Sequence, residues 1–296
     1  MSEVTHAEPS CGKEPSAFNI NPLVGTFGAE VSNVDLARLA DTDASRLLAT
    51  FYEHSLICIR DQSHLSSAQF AEFASRFGEL DTYPFMTPLP DHPHVIPIIK
   101  EPTAKLNFGG GWHTDTSYNE RPPAITMLHA IELPTRGGDT LFSNTALAFD
   151  AWSDGMRELV KPLQGVYSAS IVHGSGGAYA QAMDKQADAY QRQNERAEER
   201  NEHPLIRTHP VTARQAIYCS LAHTVRIQNM TRKDSLPLLQ LLQNQATQPE
   251  FQTRVKWEPG TITVWDNRCV WHYALNDYHG ERRHMHRITV KGERPA

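Results

Sequence analysis

The sequence predicts a mainly β fold with flanking helices, built on an all-β barrel or sandwich core. Two observations carry that expectation. From about residue 110 to 145, and again from about 205 to 292, short runs of β-formers alternate with Gly, Pro and Asn turns. Patterns of helical period stand apart from these runs, in the N-terminal third of the chain.

Taken in order, residues 1–17 are polar, carry Pro9, Gly12 and Pro15, and read as a disordered tail. From Phe18 the chain becomes structured. The run LVGTFGAEV, 23–31, sets glycines between β-formers and reads as strand or hairpin. DASRLLATFYEHS, 43–55, predicts a helix with Asp43 at the cap and Leu47, Leu48, Phe51 and Tyr52 on one face. LICIRD, 56–61, predicts a short strand, and SSAQFAEFASRFG, 66–78, a second helix closed by Gly78 at C′. The stretch 183–203 is charged and nearly free of large aliphatics. It reads as a solvated helix or flexible excursion, or as a mobile lid over a site. With no internal repeat and no second-domain linker, 18–296 reads as one domain with a lid-like charged insertion around 180–203.

Bulk properties narrow the class. The 296 residues are 40% hydrophobic and 21% charged, which is ordinary globular usage. A net charge of −6 argues against a general nucleic-acid binder, which would show a basic footprint. No apolar run is long enough to span a bilayer, and the first residues lack the apolar core of a signal peptide. Cys11, Cys58, Cys219 and Cys269 are scattered, with no C-x-x-C pair, so a reduced, cytoplasmic protein is expected.

Two blocks carry chemistry. WHTDTSY, 112–118, sets His113 and Asp115 one residue apart, a weak signal in a chain with 15 histidines. Much later, TITVWDNRCVWHY begins as a strand, turns at Asp266-Asn267 and presents His272 between Trp271 and Tyr273. A lone histidine in aromatic surroundings is more often a bonded core residue than a ligand. Two neutral imidazoles and one carboxylate, however, form the facial triad of non-haem Fe(II) oxygenases, which leaves coordination positions open. The same three residues with a water would suit a Zn(II) hydrolase. Arg283 and Arg287 add a second signal. Four apart on a strand, they share a face and stand roughly 13 Å apart. Two inward guanidinium groups need anions, either two ligand anions or protein carboxylates such as Asp277 or Glu281.

Together with LPTRGGDTLF at 133–142 and HPLIRTHP at 203–210, these blocks resemble the TauD/TfdA family of Fe(II)- and 2-oxoglutarate-dependent dioxygenases. The resemblance runs from about Phe18 to Pro295 and rests on the joint order and spacing of the motifs. It implies a double-stranded β-helix core (a cupin-like jelly-roll) and an iron site of His113, Asp115 and His272. It further implies a 2-oxoglutarate clamp of Thr140 and Arg283, the latter eleven residues after His272. Arg287 matches the position that holds the acidic group of the prime substrate in several members. Such enzymes use O2 to convert 2-oxoglutarate to succinate and CO2 while hydroxylating a substrate C–H bond. Related halogenases replace the acidic ligand with a small residue, so Asp115 argues for hydroxylation.

For the substrate, taurine-specific members present polar residues where this chain has DTYPFM, 81–86, and NFGGG, 107–111. Tyr83, Phe85 and Met86 would make that wall more apolar, unless Phe85 and Met86 serve core packing. His173 and His223 fall near positions that line family pockets. The expected substrate is therefore a small organic anion more apolar than taurine: an aryloxyalkanoate, alkyl sulfate, longer sulfonate or carboxylate. Taurine itself is the alternative, and a metal-dependent hydrolase or non-catalytic binding protein a distant one. Neither nucleic acid nor membrane is expected as a partner, and a homo-oligomer is compatible with such folds.

Overall fold

The computed structural model describes residues 18–23, 27–83, 86–173 and 195–296. Its first strands are β1 (Asn19–Pro22), β2 (Ala29–Ser32), β3 (Leu56–Ile59), β4 (Ile96–Lys100) and β5 (Ile125–Glu132). β6 (Thr140–Asn144), β7 (Gln164–Tyr167), β8 (Asn201–Pro204), β9 (Ile206–Thr208) and β10 (Gln215–Ile217) follow. β11 (Thr224–Ile227), β12 (Gln252–Val255), β13 (Ile262–Asp266), β14 (Val270–Ala274) and β15 (Arg283–Val290) complete the set. The larger sheet has the order β1-β2-β3-β13-β5-β15-β4, antiparallel except for the β2–β3 pair. Three small antiparallel sheets, β12-β6-β14, β11-β7-β8 and β10-β9, complete the double-stranded β-helix.

The centre of the large sheet is buried on both faces, and this explains why β3 and β13 lack alternation. All five residues of β13, ITVWD, are buried. One face packs against helix α1 (Asp41–His54) and helix α2 (Ser67–Ser75) through Leu47, Phe51, Phe70, Met127, Val264 and Ile288. The other meets the smaller sheets through Phe142, Trp265, Trp271 and Met285. On β15, Arg283, Met285 and Arg287 are buried while His284 and His286 are intermediate, which is the parity expected of a strand. The two arginines thus project between the sheets.

Local expectations meet three corrections. Ala40, not Asp43, is the N-cap of α1, and Asp41 and Asp43 lie in its first turn, where carboxylates favour the helix dipole. α2 opens on a capping box between Ser66 and Gln69, but its C-cap is Arg76, so Gly78 sits one residue past C′. A 15-residue helix, Arg232–Ala246, occupies part of the region whose rhythm suggested strands. Thr231 caps it by accepting from the Asp234 amide, and Leu239, Leu242 and Ala246 bury one stripe. The N-terminal hairpin pairs Asn19 with Ser32, so its first strand precedes the run 23–31. Of the charged stretch around 180–203, residues up to 194 lie outside the described residues, and Asn201 to His203 belong to β8. The polar tail, 1–17, also lies outside them.

Gly260 leads into β13 at φ +75°, donating its amide to Ala130 O at 3.0 Å and accepting from the Gln62 amide at 3.1 Å. A Cβ there would stand 2.2 Å from Ser63 N. Gly260→Ala is therefore expected to cost about 2 kcal/mol or more, read as a lower denaturant midpoint at unchanged m-value. Beneath α2, His129 is 2% exposed, and burial draws its pKa down to about 4. As pH falls below 6.5 the unfolded chain takes up a proton that folded His129 refuses until about pH 4. Stability is full above that window and falls by about 3 kcal/mol across it. His129→Gln should flatten the slope of unfolding free energy against pH by about one proton.

Candidate active site

A backbone clasp assembles the site. The His113 amide donates to His272 O at 3.2 Å and the His272 amide returns to His113 O at 2.8 Å, which brings the rings to 4.1 Å. The chain turns just after Asp115, with Thr116 at φ +41°. Asp115 Oδ1 lies 3.8 Å from His113 Nε2 and 3.9 Å from His272 Nε2. One ligand atom from each residue falls within 4.8 Å of the others.

The protonation states suit a cation. His113 Nδ1 lies 2.7 Å from Gly111 O, so it carries the hydrogen and leaves Nε2 with a lone pair. Burial draws both imidazole pKa values down, so the rings are neutral donors. For Asp115, burial alone would push the pKa up. The Arg287 guanidinium, the two imidazoles and the Thr126 hydroxyl overcome it and hold the carboxyl well below the usual carboxylate range. Two neutral nitrogens and one carboxylate oxygen, open towards a cavity, fit a divalent iron ion. A second cluster, His209, Asp266 and Cys269, is equally compact. There both oxygens of Asp266 are taken by Arg268, at 2.7 and 2.6 Å, and one also by His209 at 2.9 Å, so that carboxylate is saturated.

Arg283 and Arg287 differ in their surroundings. Arg283 is 6% exposed and packs its guanidinium 5.6 Å from the Trp257 ring. Its Nε and Nη2 are buried without a hydrogen-bond partner, and it forms no ion pair among the described residues. Trp257 also donates its indole N–H to Thr140 Oγ1 at 3.0 Å, so one indole joins Thr140 and Arg283. Gly137 and Gly138, at φ +75° and +73°, make the turn that delivers Thr140 to β6. Asp277 is engaged by the Gly138 amide and Glu281 by Thr135, so neither neutralises an inward arginine. Arg287, 3% exposed, has found a carboxylate that the strand pattern does not suggest: its Nη2 lies 3.1 Å from Asp115 Oδ2. Its other terminal nitrogen, Nη1, is buried without a partner, and the guanidinium lies 4.9 Å from the Tyr83 ring.

A cavity of about 490 Å³ opens beside the triad, walled by Tyr83, Tyr118, His173, His223 and the Gly109–Gly111 segment. His223 Nδ1 lies 2.9 Å from Ser117 Oγ. Burial, with His113 and His173 nearby, draws the His223 pKa down to about 3, and burial draws that of His173 to about 4. Both wall imidazoles are thus neutral. Met86 does not line this cavity; it is buried in the core between the sheets, while Phe85 lies outside the described residues. Sequence reasoning passed over Tyr118, Trp257 and Thr126. Tyr118 ends the WHTDTSY block and could have been weighed with it, whereas nothing local marks the other two.

Comparison with known proteins agrees with this geometry. The sequence profile of the taurine catabolism dioxygenase TauD, TfdA family matches residues 19–289. An alpha-ketoglutarate-dependent sulfate ester dioxygenase of Pseudomonas putida is 30% identical, across 94% of this chain and 91% of that protein. The (S)-phenoxypropionate/alpha-ketoglutarate-dioxygenase of Sphingobium herbicidovorans is 31% identical, across 94% of this chain and 96% of its own. The crystal structure of a taurine dioxygenase from Burkholderia xenovorans superposes with a TM-score of 0.77 at 31% identity, covering 95% of this chain and 93% of that one. The chain belongs to the TauD, TfdA family and is an Fe(II)- and 2-oxoglutarate-dependent dioxygenase.

Proposed function

We propose that the enzyme hydroxylates a small organic anion with a body more apolar than taurine. In this reading His113, Asp115 and His272 hold Fe(II), Thr140 and Arg283 hold the far carboxylate of 2-oxoglutarate, and Arg287 faces the substrate's acid group. The observation that carries it is Arg283. A buried guanidinium with two unmet donors and no counter-ion among the described residues is costly unless a ligand anion completes it. A hydrolase with the same three ligands would leave that arginine without a purpose.

When bound, Fe(II) and 2-oxoglutarate supply O2 activation, yielding succinate, CO2 and an oxygen atom for a substrate C–H bond. The chain's own residues position and shield. Trp257 keeps the Thr140 hydroxyl and the Arg283 fork together, so the co-substrate is gripped at the end remote from the metal. Arg287 holds Asp115 through Nη2 and keeps Nη1 for a second anion. Tyr83, Tyr118 and the two neutral imidazoles offer flat, weakly polar walls, and among the described residues of the lining Asp115 is the one fixed charge. Such a wall suits an aryloxyalkanoate, an alkyl sulfate or a longer sulfonate better than the ammonium of taurine. The relatives' names, a sulfate ester dioxygenase and a phenoxypropionate dioxygenase, support the same class. Taurine is the second reading, favoured by the taurine dioxygenase of similar fold. If hydroxylation falls on a carbon bearing the ether, sulfate or sulfonate, the product collapses to an aldehyde and a released group.

A cytoplasmic enzyme without nucleic-acid partners fits the net charge of −6. Among the described residues no helix is long and apolar enough to cross a membrane.

Succinate formation by the Fe(II)-loaded enzyme, across taurine, longer alkanesulfonates, alkyl sulfates and aryloxyacetates, tests the substrate class. One of the apolar anions should turn over well above taurine, and a clear preference for taurine would overturn the proposal. Arg283→Met removes two charge-assisted bonds and should weaken calorimetric 2-oxoglutarate binding about 100-fold, with metal affinity unchanged. Asp115→Ala should abolish metal binding, read on protein whose circular dichroism matches the native, because the change also strands the buried Arg287.

A further inference from the structure

The Asp115 carboxylate has one oxygen facing the histidine nitrogens and one facing away. The rear oxygen, Oδ2, accepts from the Thr126 hydroxyl at 2.5 Å besides meeting Arg287. Thr126 stands on β5, and its own oxygen lies 2.8 Å from Asn267 Nδ2. Asn267 opens the turn after β13, and its Oδ1 lies 2.9 Å from Trp265 Nε1. All four side chains are buried.

Chemistry dictates the direction of every bond in this row. An indole nitrogen only donates, so Asn267 must turn its amide oxygen to Trp265. The amide nitrogen is then assigned to Thr126, whose oxygen must accept. The single hydroxyl hydrogen of Thr126 is left for Asp115, which as a carboxylate only accepts. The row runs one way, from Trp265 through Asn267 and Thr126 to Asp115. Its far end returns to the site, because the Trp265 ring lies 4.7 Å from the ring of His272. Thr114, between His113 and Asp115, donates its hydroxyl to Asn267 O at 2.7 Å and ties the ligand loop to the same turn.

We propose that Asn267 and Trp265 are positioning residues for the metal centre, acting through Thr126 to present Asp115 by one oxygen only. This rests on the reading of His113, Asp115 and His272 as the metal ligands. Neither Asn267 nor Trp265 is one of those ligands. Arg287 alone is a poor anchor for Oδ2, because it also serves the substrate's acid group. The Thr126 arm is independent of substrate and keeps the rear oxygen occupied at every stage. A carboxylate so restrained leaves the open side of the triad to the co-substrate.

The test is equilibrium binding of Mn(II) by calorimetry, on variants whose circular dichroism matches the native protein. Thr126→Val, which keeps the volume and removes the donor, should weaken Mn(II) binding 10- to 100-fold, about the loss expected when a ligand's supporting bond is removed. Thr126→Ser, which keeps the hydroxyl, should bind nearly as the native protein does. Asn267→Leu should weaken Mn(II) about 10-fold, and the double variant Thr126→Val/Asn267→Leu should lose no more than Thr126→Val alone. If Asn267→Leu does not fold, Trp265→Phe removes the indole N–H together with part of the ring and should weaken binding at least about threefold. Native Mn(II) affinity in the folded Asn267 or Trp265 variant, or losses that add in full, would overturn the relay. Retention of Mn(II) by Asp115→Ala would instead overturn the reading of the metal centre on which the relay rests.

Discussion

Asp115 is ionised in surroundings where an isolated carboxyl group would hold its proton. The buried ion pair with Arg287 makes the difference, and much of the site follows from it. A neutral acid there would present a poor ligand face to a cation, and an unpaired Arg287 would be a second stranded charge beside Arg283. Removing either partner leaves the other buried and alone, which costs far more than the pair itself contributes. The two residues are thus constrained together, although one belongs to the WHTDTSY segment and the other to β15.

The layers of the fold make that constraint affordable. The inward row of β15 lies between two sheets, where water is excluded and a guanidinium is held in one orientation. Helices α1 and α2 cover the opposite face, so the outward histidines of the same strand meet a different environment. A strand with charged residues on one face and imidazoles on the other is stable only because both faces are covered. Its period of two residues then separates the two chemistries cleanly.

The clustering of His113 with Asp115 was legible because spacing in the chain maps onto direction in space. His113 and Asp115 share a short turn, and the parity of Arg283 and Arg287 survives in β15. The helix α2 was legible for the same reason, since its apolar residues recur within the helical period. What escaped lies in contacts between distant segments. Trp257 meets Thr140 across 117 positions, and Asn267 meets Thr126 across 141. Arg287 pairs with Asp115 rather than with the nearer Asp277 or Glu281, because the barrel closes those two against the Gly138 and Thr135 segment. For Met86 the sequence left pocket wall and core packing both open, because a loop has no period from which a direction can be inferred, and the structure buries it in the core. The helix at 232–246 was hidden among strand-like runs, since two of its five buried residues, Ser235 and Gln245, are polar and blur the apolar stripe.

The reciprocal amide bonds between His113 and His272 have a wider consequence. They are main-chain bonds, indifferent to which side chains project from them. The mouth of the site is therefore held by peptide geometry common to every sequence, and the projecting groups can vary without unlatching it. Either side chain could be exchanged while the frame of the clasp persists. In that respect the clasp separates heritable architecture from replaceable reactivity.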